Sequence, residues 1–157
     1  MLTSGQRRPG LLFLAALVTV GLAAGVADAR SSRIVTIRVR SVIVSNSYND
    51  VAPKGPSAGD VVHQADRLIN LRRQFGKPIG AAIGSDRAVI KLTSATSATV
   101  RGTATLPGGG VSFTGAGRIG SSLVARITGG TGAFAGAAGT VAVGSGDSPV
   151  NVYTLEL

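Results

Sequence analysis

Residues 98–119 read ATVRGTATL-PGGG-VSFTGAGRI, two alternating runs around a glycine-rich turn. From 98 to 106 the even positions are Ala98, Val100, Gly102, Ala104 and Leu106, and the odd ones are Thr99, Arg101, Thr103 and Thr105. From 111 to 119 the parity reverses: Val111, Phe113, Gly115, Gly117 and Ile119 share one face, with Ser112, Thr114 and Arg118 on the other. A period of two is the signature of strands with one apolar face. Pro107-Gly108-Gly109-Gly110 between them is a hairpin signal. If all four residues form the turn, Leu106 faces Val111 and Arg101 faces Ala116. A second turn at Gly120-Ser121-Ser122 then sets Ile119 against Leu123 and Ala116 against Arg126.

The same grammar extends in both directions. Residues 34–44 (IVTIRVRSVIV) alternate, 45–60 read as a loop rich in Asn, Ser, Pro and Gly, and 79–92 form another strand with Gly80 and Gly84 marking bulges or close backbone approach. Residues 61–75 (VVHQADRLINLRRQF) have spacing that a helix would also accept, but they lack a convincing cap and are read as strand. Further strands are expected at 123–128, 139–144 and 150–157. Seven or eight short strands without a helix mean a barrel or a sandwich. Fourteen glycines between Arg101 and Gly146 suit strands that coil tightly, which favours a single barrel enclosing about one small ligand.

The 157 residues suffice for one domain, and the absence of cysteine excludes disulfides, thiolate metal sites and a cysteine nucleophile. Arg7 and Arg8, the apolar run Leu11–Val26 and the small-x-small triplet Ala27-Asp28-Ala29 are expected to form a signal peptide over 1–29. The run is short for a membrane anchor, so residues 30–157 are expected to be secreted, with no membrane span after processing. Arg7-Arg8 partly fits a twin-arginine signal, although Pro9 follows directly and general secretion fits better. Removing Arg7, Arg8 and Asp28 leaves 14 basic and 6 acidic side chains, net +8. The cations are scattered and not interleaved with aromatics, so nucleic acid is not expected as a partner, and solubility or surface adhesion explains the charge.

Residues 127–139 (ITGGTGAFAGAAG) resemble the glycine segment of the dirigent family, and Gly59-Asp60-Val61-Val62 with Ile79-Gly80-Ala81-Ala82-Ile83-Gly84 resembles elements of the related allene oxide cyclases. Order and spacing match over roughly 34–157. The resemblance implies an all-β, eight-stranded antiparallel β-barrel, often trimeric, with a cavity for a hydrophobic small molecule. Strand 34–44 departs from it in having no Asp or Glu, where both families carry an acid. Asp86 stands where the cyclase cysteine would fall, so the plant cyclase reaction itself is not expected.

Gly130-x-Gly132-x-x-Ala135 superficially fits a dinucleotide fingerprint, but no βαβ unit surrounds it; it reads as a coiled turn, and no cofactor is expected. Asp86, in a near-apolar strand, is the candidate acid or base, because burial in a lumen raises a carboxyl pKa. Arg101, Arg118 and Arg126 share one face. Inside the barrel they would bind a carboxylate or oxyanion, and outside they would form a wet basic patch. His63, the sole histidine, and Tyr48, in the loop after the first strand, are further ligand-binding candidates. Neither a pair of catalytically spaced carboxylates nor a metal cluster is evident. Three functions follow: a barrel that steers coupling or cyclisation of a hydrophobic ligand, an isomerase or cyclase with Asp86 moving a proton, or a non-catalytic carrier or envelope-surface module.

Overall fold

Eight antiparallel strands pair in strict chain order and close into a barrel. They are β1 (Ile34–Asn49), β2 (Val61–Asn70), β3 (Ala82–Leu92), β4 (Ser97–Leu106), β5 (Gly109–Arg118), β6 (Leu123–Gly130), β7 (Ala138–Val143) and β8 (Val150–Glu156). The computed structural model describes residues 32–146 and 149–157. The expected leader over 1–29 and part of the turn before β8 lie outside the described residues. Closure comes from β8 against β1, with Ile37 opposite Tyr153 and Val39 opposite Asn151. Among the described residues no helix is long and apolar enough to cross a membrane.

The alternation read in the sequence turns Ile37, Val39, Leu68, Val111, Val141, Tyr153 and Leu155 inward, each less than 2% exposed. The register within it is tighter than expected. Only Pro107 and Gly108 form the hairpin turn, so Leu106 pairs with Gly109 and Arg101 pairs with Thr114, not Ala116. A bulge at Thr128 then sets Arg126 opposite Thr114 as well. Each pairing moved by two residues, so every face assignment survived.

β1 outruns its expected end because Ser45–Asn49 pair with Val61–Ala65 beyond a bulge at Val44. β2 stops at Asn70 rather than Phe75. The buried Asn70 amide donates to the carbonyls of Gln74 (3.2 Å), Lys77 (3.3 Å) and Pro78 (3.2 Å), which winds the chain into a turn. Asn70→Ala removes these three bonds together with the one its side-chain carbonyl accepts from the Gln74 amide at 2.8 Å. The expected result is a loss of about 2–3 kcal/mol in chemical denaturation, with the m-value unchanged.

One end of the barrel is shut. The chain leaves β6 through a short 3-10 turn, Gly132–Phe134, that drives Phe134 into the core beside the equally buried Leu106, Ile83 and Ala137. The turn packs on the β4–β5 hairpin: the Ala133 N–H donates to the Gly108 carbonyl at 2.8 Å, and the Gly110 N–H donates to the Thr131 hydroxyl at 3.0 Å. The glycine segment is thus a plug at a barrel end. The fingerprint within it opens no helix.

Candidate functional site

With one end plugged, the interior opens at the other, between the β3–β4, β5–β6 and β7–β8 connections. A cavity of about 290 Å³ runs inward from there, walled by Ile90, Val100, Phe113, Leu123 and Val143. That is about the lower size limit of small-molecule sites. Its depth is not apolar throughout. Asp66 and Asp86 are direct cross-strand partners on β2 and β3, both turned inward, 5% and 6% exposed. No spacing in the sequence signals this pair, contrary to the expectation of no paired carboxylates, because twenty positions separate the two and only the β2–β3 register brings them together.

The two carboxyls are inequivalent. The Gln64 amide donates to both Asp66 oxygens, at 3.0 and 2.8 Å, which stabilises the charged form of Asp66. Burial still pushes Asp66 upward overall. Asp86 is pushed up to about 7, first by burial, then by the negative charge of Asp66 and by the hydrogen bond between the two carboxyls. That hydrogen bond lowers Asp66, so the shared proton resides on Asp86. The pair thus presents two inequivalent carboxyls to the same cavity, with Asp86 the one that holds a proton toward neutrality, and a proton donor beside a proton acceptor is the inventory that general acid–base catalysis needs.

Within reach of their charges lies the Tyr153 phenol, wholly buried, its hydroxyl without a hydrogen-bond partner among the described residues. Burial, then the charges of Asp86 and Asp66, push its pKa upward, so it remains a neutral donor. An unmade buried hydrogen bond costs about 1–3 kcal/mol, so Tyr153→Phe is expected to leave stability equal or higher in thermal unfolding. A clear drop in melting temperature would mean that the hydroxyl is satisfied in solution.

The other sequence candidates fall elsewhere. Arg101 and Arg126 are exposed on the outer face and touch no part of the lumen, so the alternative that placed them inside is corrected: Val100, Phe113 and Ile127 on the opposite parity fill the interior. Arg118, also exposed, stands at the end of β5 and rims the cavity mouth. His63 is exposed on the outside of β2. Tyr48 is not among the residues that line the cavity. It donates its hydroxyl to Asp60, which raises the phenol to about 12. Asp60 also accepts from the backbone N–H of Val51 (2.9 Å) and Ser57 (2.8 Å), and the bond from Tyr48 leads in holding its carboxyl below the usual range. The aspartate of the Gly59-Asp60 element therefore ties down the loop after β1. Among the described residues no three His, Asp or Glu side chains converge as metal ligands.

Neither a protein-family model nor a curated protein matches the sequence. Solved structures do match the fold. A pyocyanin demethylase superposes with a TM-score of 0.66 at 21% identity, covering 77% of this chain and 99% of its own. A pterocarpan synthase dirigent protein gives 0.60 at 19% identity, covering 90% and 97%. An exo-specific intermolecular Diels–Alderase gives 0.60 at 15%, covering 81% and 99%. At such identities the likeness is one of architecture, and in architecture the chain is a dirigent-like β-barrel, as its glycine segment indicated.

Proposed function

We propose that the barrel takes a hydrophobic small molecule through its open end and steers its coupling or cyclisation, with the Asp66–Asp86 pair moving a proton during the reaction. The observation that carries this reading is a pair of buried carboxyls, Asp66 and Asp86, facing each other across β2 and β3 in the wall of a largely apolar cavity. Such a pair is costly to bury, and packing does not require it. In the reaction Asp86 donates its proton to a developing oxyanion while Asp66 accepts one from the attacking group. The proton inventory of the pair is unchanged, with the proton's position exchanged between them. The apolar wall supplies orientation, which alone can contribute several kcal/mol to a reaction that needs one folded conformer. Steering by shape and proton transfer by Asp86, two separate readings of the sequence, become one site.

Support also comes from the structural neighbours, which include an exo-specific intermolecular Diels–Alderase and a pterocarpan synthase dirigent protein. Arg118 at the rim would attract an anionic end of the ligand. We place the reaction outside the cytoplasm, after removal of residues 1–29.

Nile red, neutral and solvatochromic, tests occupancy. One molecule is expected to bind per barrel with a blue-shifted emission, and Ala98→Trp, which narrows the mouth, is expected to abolish the signal. Binding that survives Ala98→Trp undiminished would place the hydrophobic site elsewhere.

A further inference from the structure

The outside of the barrel carries a second pattern. The seven acids of the sequence are Asp28, Asp50, Asp60, Asp66, Asp86, Asp147 and Glu156. Three of them, Asp60, Asp66 and Asp86, are buried. Over β2–β7 the outward side chains include Arg67, Arg87, Lys91, Arg101, Arg118 and Arg126 and not one acid. The cations of this face therefore have no carboxylate on it to neutralise them.

They are also ordered. Cross-strand register places Ser47, His63, Val89, Arg101, Thr114 and Arg126 in one row across β1 to β6. Arg87 and Lys91 flank Val89 two residues to either side on β3. Two surface depressions meet along this row and share Arg87 and Val89. Small hydroxyl side chains between long arginines leave the larger of them, about 650 Å³, floored by Gly102 and Phe113. Five interstrand spacings of about 4.8 Å make the row roughly 24 Å long, with Arg101 and Arg126 about 10 Å apart.

We propose that this outer trough binds a linear anionic polysaccharide laid across the strands. Its alternation of guanidinium and hydroxyl groups matches a chain that carries hydroxyls on every residue and an anionic group on some. A single-stranded nucleic acid offers the same charge but binds through base stacking on aromatics. The one exposed aromatic among the described residues, Tyr48, lies off the row and is bonded to Asp60. The inference stands on the outer face alone and does not depend on what the lumen does.

The test is calorimetric titration of the purified protein with heparin, polygalacturonate, neutral dextran and a DNA single strand of matched charge, at about 50 and 200 mM salt. Expected are binding to heparin or polygalacturonate, none to dextran, and weaker binding to the DNA strand. Binding to heparin alone assigns sulfate as the recognised group, and binding to polygalacturonate assigns carboxylate. In the triple variant Arg87→Ser, Arg101→Ser, Arg126→Ser the slope of log affinity against log salt is expected to fall by about 2, since each neutralised charge contributes roughly 0.7–0.9. A control triple of equal charge loss off the row, Arg33→Ser, Lys54→Ser, Arg73→Ser, is expected to keep the wild-type slope. Both triples should retain Nile red binding, which reports that the barrel is folded. The proposal is overturned if no anionic polysaccharide binds at 50 mM salt, if the two triples behave alike, or if the DNA strand binds as tightly as the polysaccharides.

Discussion

Asp86→Asn is expected to stabilise the protein while removing its chemistry. An unfolded aspartate ionises near 3.8, whereas folded Asp86 holds its proton up to about 7. Below pH 4 both states are protonated and the carboxyl costs nothing. As pH rises through the window from about 4 to 7 the unfolded chain ionises and the folded one resists, so folding stability falls. At 1.36 kcal/mol per pKa unit the full cost above pH 7 is on the order of 4 kcal/mol. Asparagine keeps the shape and cannot ionise. Urea unfolding should therefore show the variant about as stable as wild type at pH 4 and several kcal/mol more stable at pH 8. Turnover of any substrate converted in the lumen should drop by roughly 10²–10⁴-fold, the usual worth of a positioned acid or base. A variant that is less stable at pH 8 would make Asp86 a structural residue and remove it from the mechanism.

The second large effect concerns the plug. Gly132 has φ +60, and a Cβ built there would sit 2.1 Å from the Gly108 carbonyl oxygen, a backbone atom that cannot step aside without opening the hairpin. Gly132→Ala combines left-handed strain of about 1–2 kcal/mol with overpacking of about 1–3 kcal/mol. The sum is a large part of the 5–15 kcal/mol that holds a typical domain together. Gly136 provides the comparison: it has φ +78 but open space around its Cβ position. Gly136→Ala should cost only the strain. Thermal melts of the two variants should separate by several degrees, with Gly132→Ala the lower. Equal melting temperatures would show that the plug does not press on the hairpin.

These effects also mark where the sequence was legible. Periodicity exposed the strands from β1 to β8, and the stretch at 98–119 revealed both the alternation and its turn. The exact turn residues were not readable, since Pro107-Gly108-Gly109-Gly110 permits a two- or a four-residue loop and only packing against Thr131 and Ala133 selects the shorter. Asp86 stood out because it interrupts an apolar strand. Asp66 did not, because it sits among the polar residues of a segment whose period suits helix or strand. Once β2 is taken as a strand, Asp66 has the parity of Leu68 and Asn70, so the inward face was recoverable, but its pairing with Asp86 depends on register across an eleven-residue connection. Tyr153 and Gln64 carried no signal, being ordinary residues made significant by what the closed barrel places beside them. The arginines were legible as one face. Which side faced inward was decided by Val100, Phe113 and Ile127, whose bulk fills the interior.

The lumen holds two facing carboxyls, Asp66 and Asp86, in a cavity open to a ligand. Carbon-13 NMR of the aspartate carboxyls, titrated from pH 3 to 9 with and without Nile red, addresses both features at once. One carboxyl, assigned to Asp86 by its loss in Asp86→Asn, is expected to titrate at about 7 in the free protein, and upward of that when the dye displaces lumen water. If every aspartate titrates below 5, or the Asp86 signal ignores the dye, the lumen is not the site described.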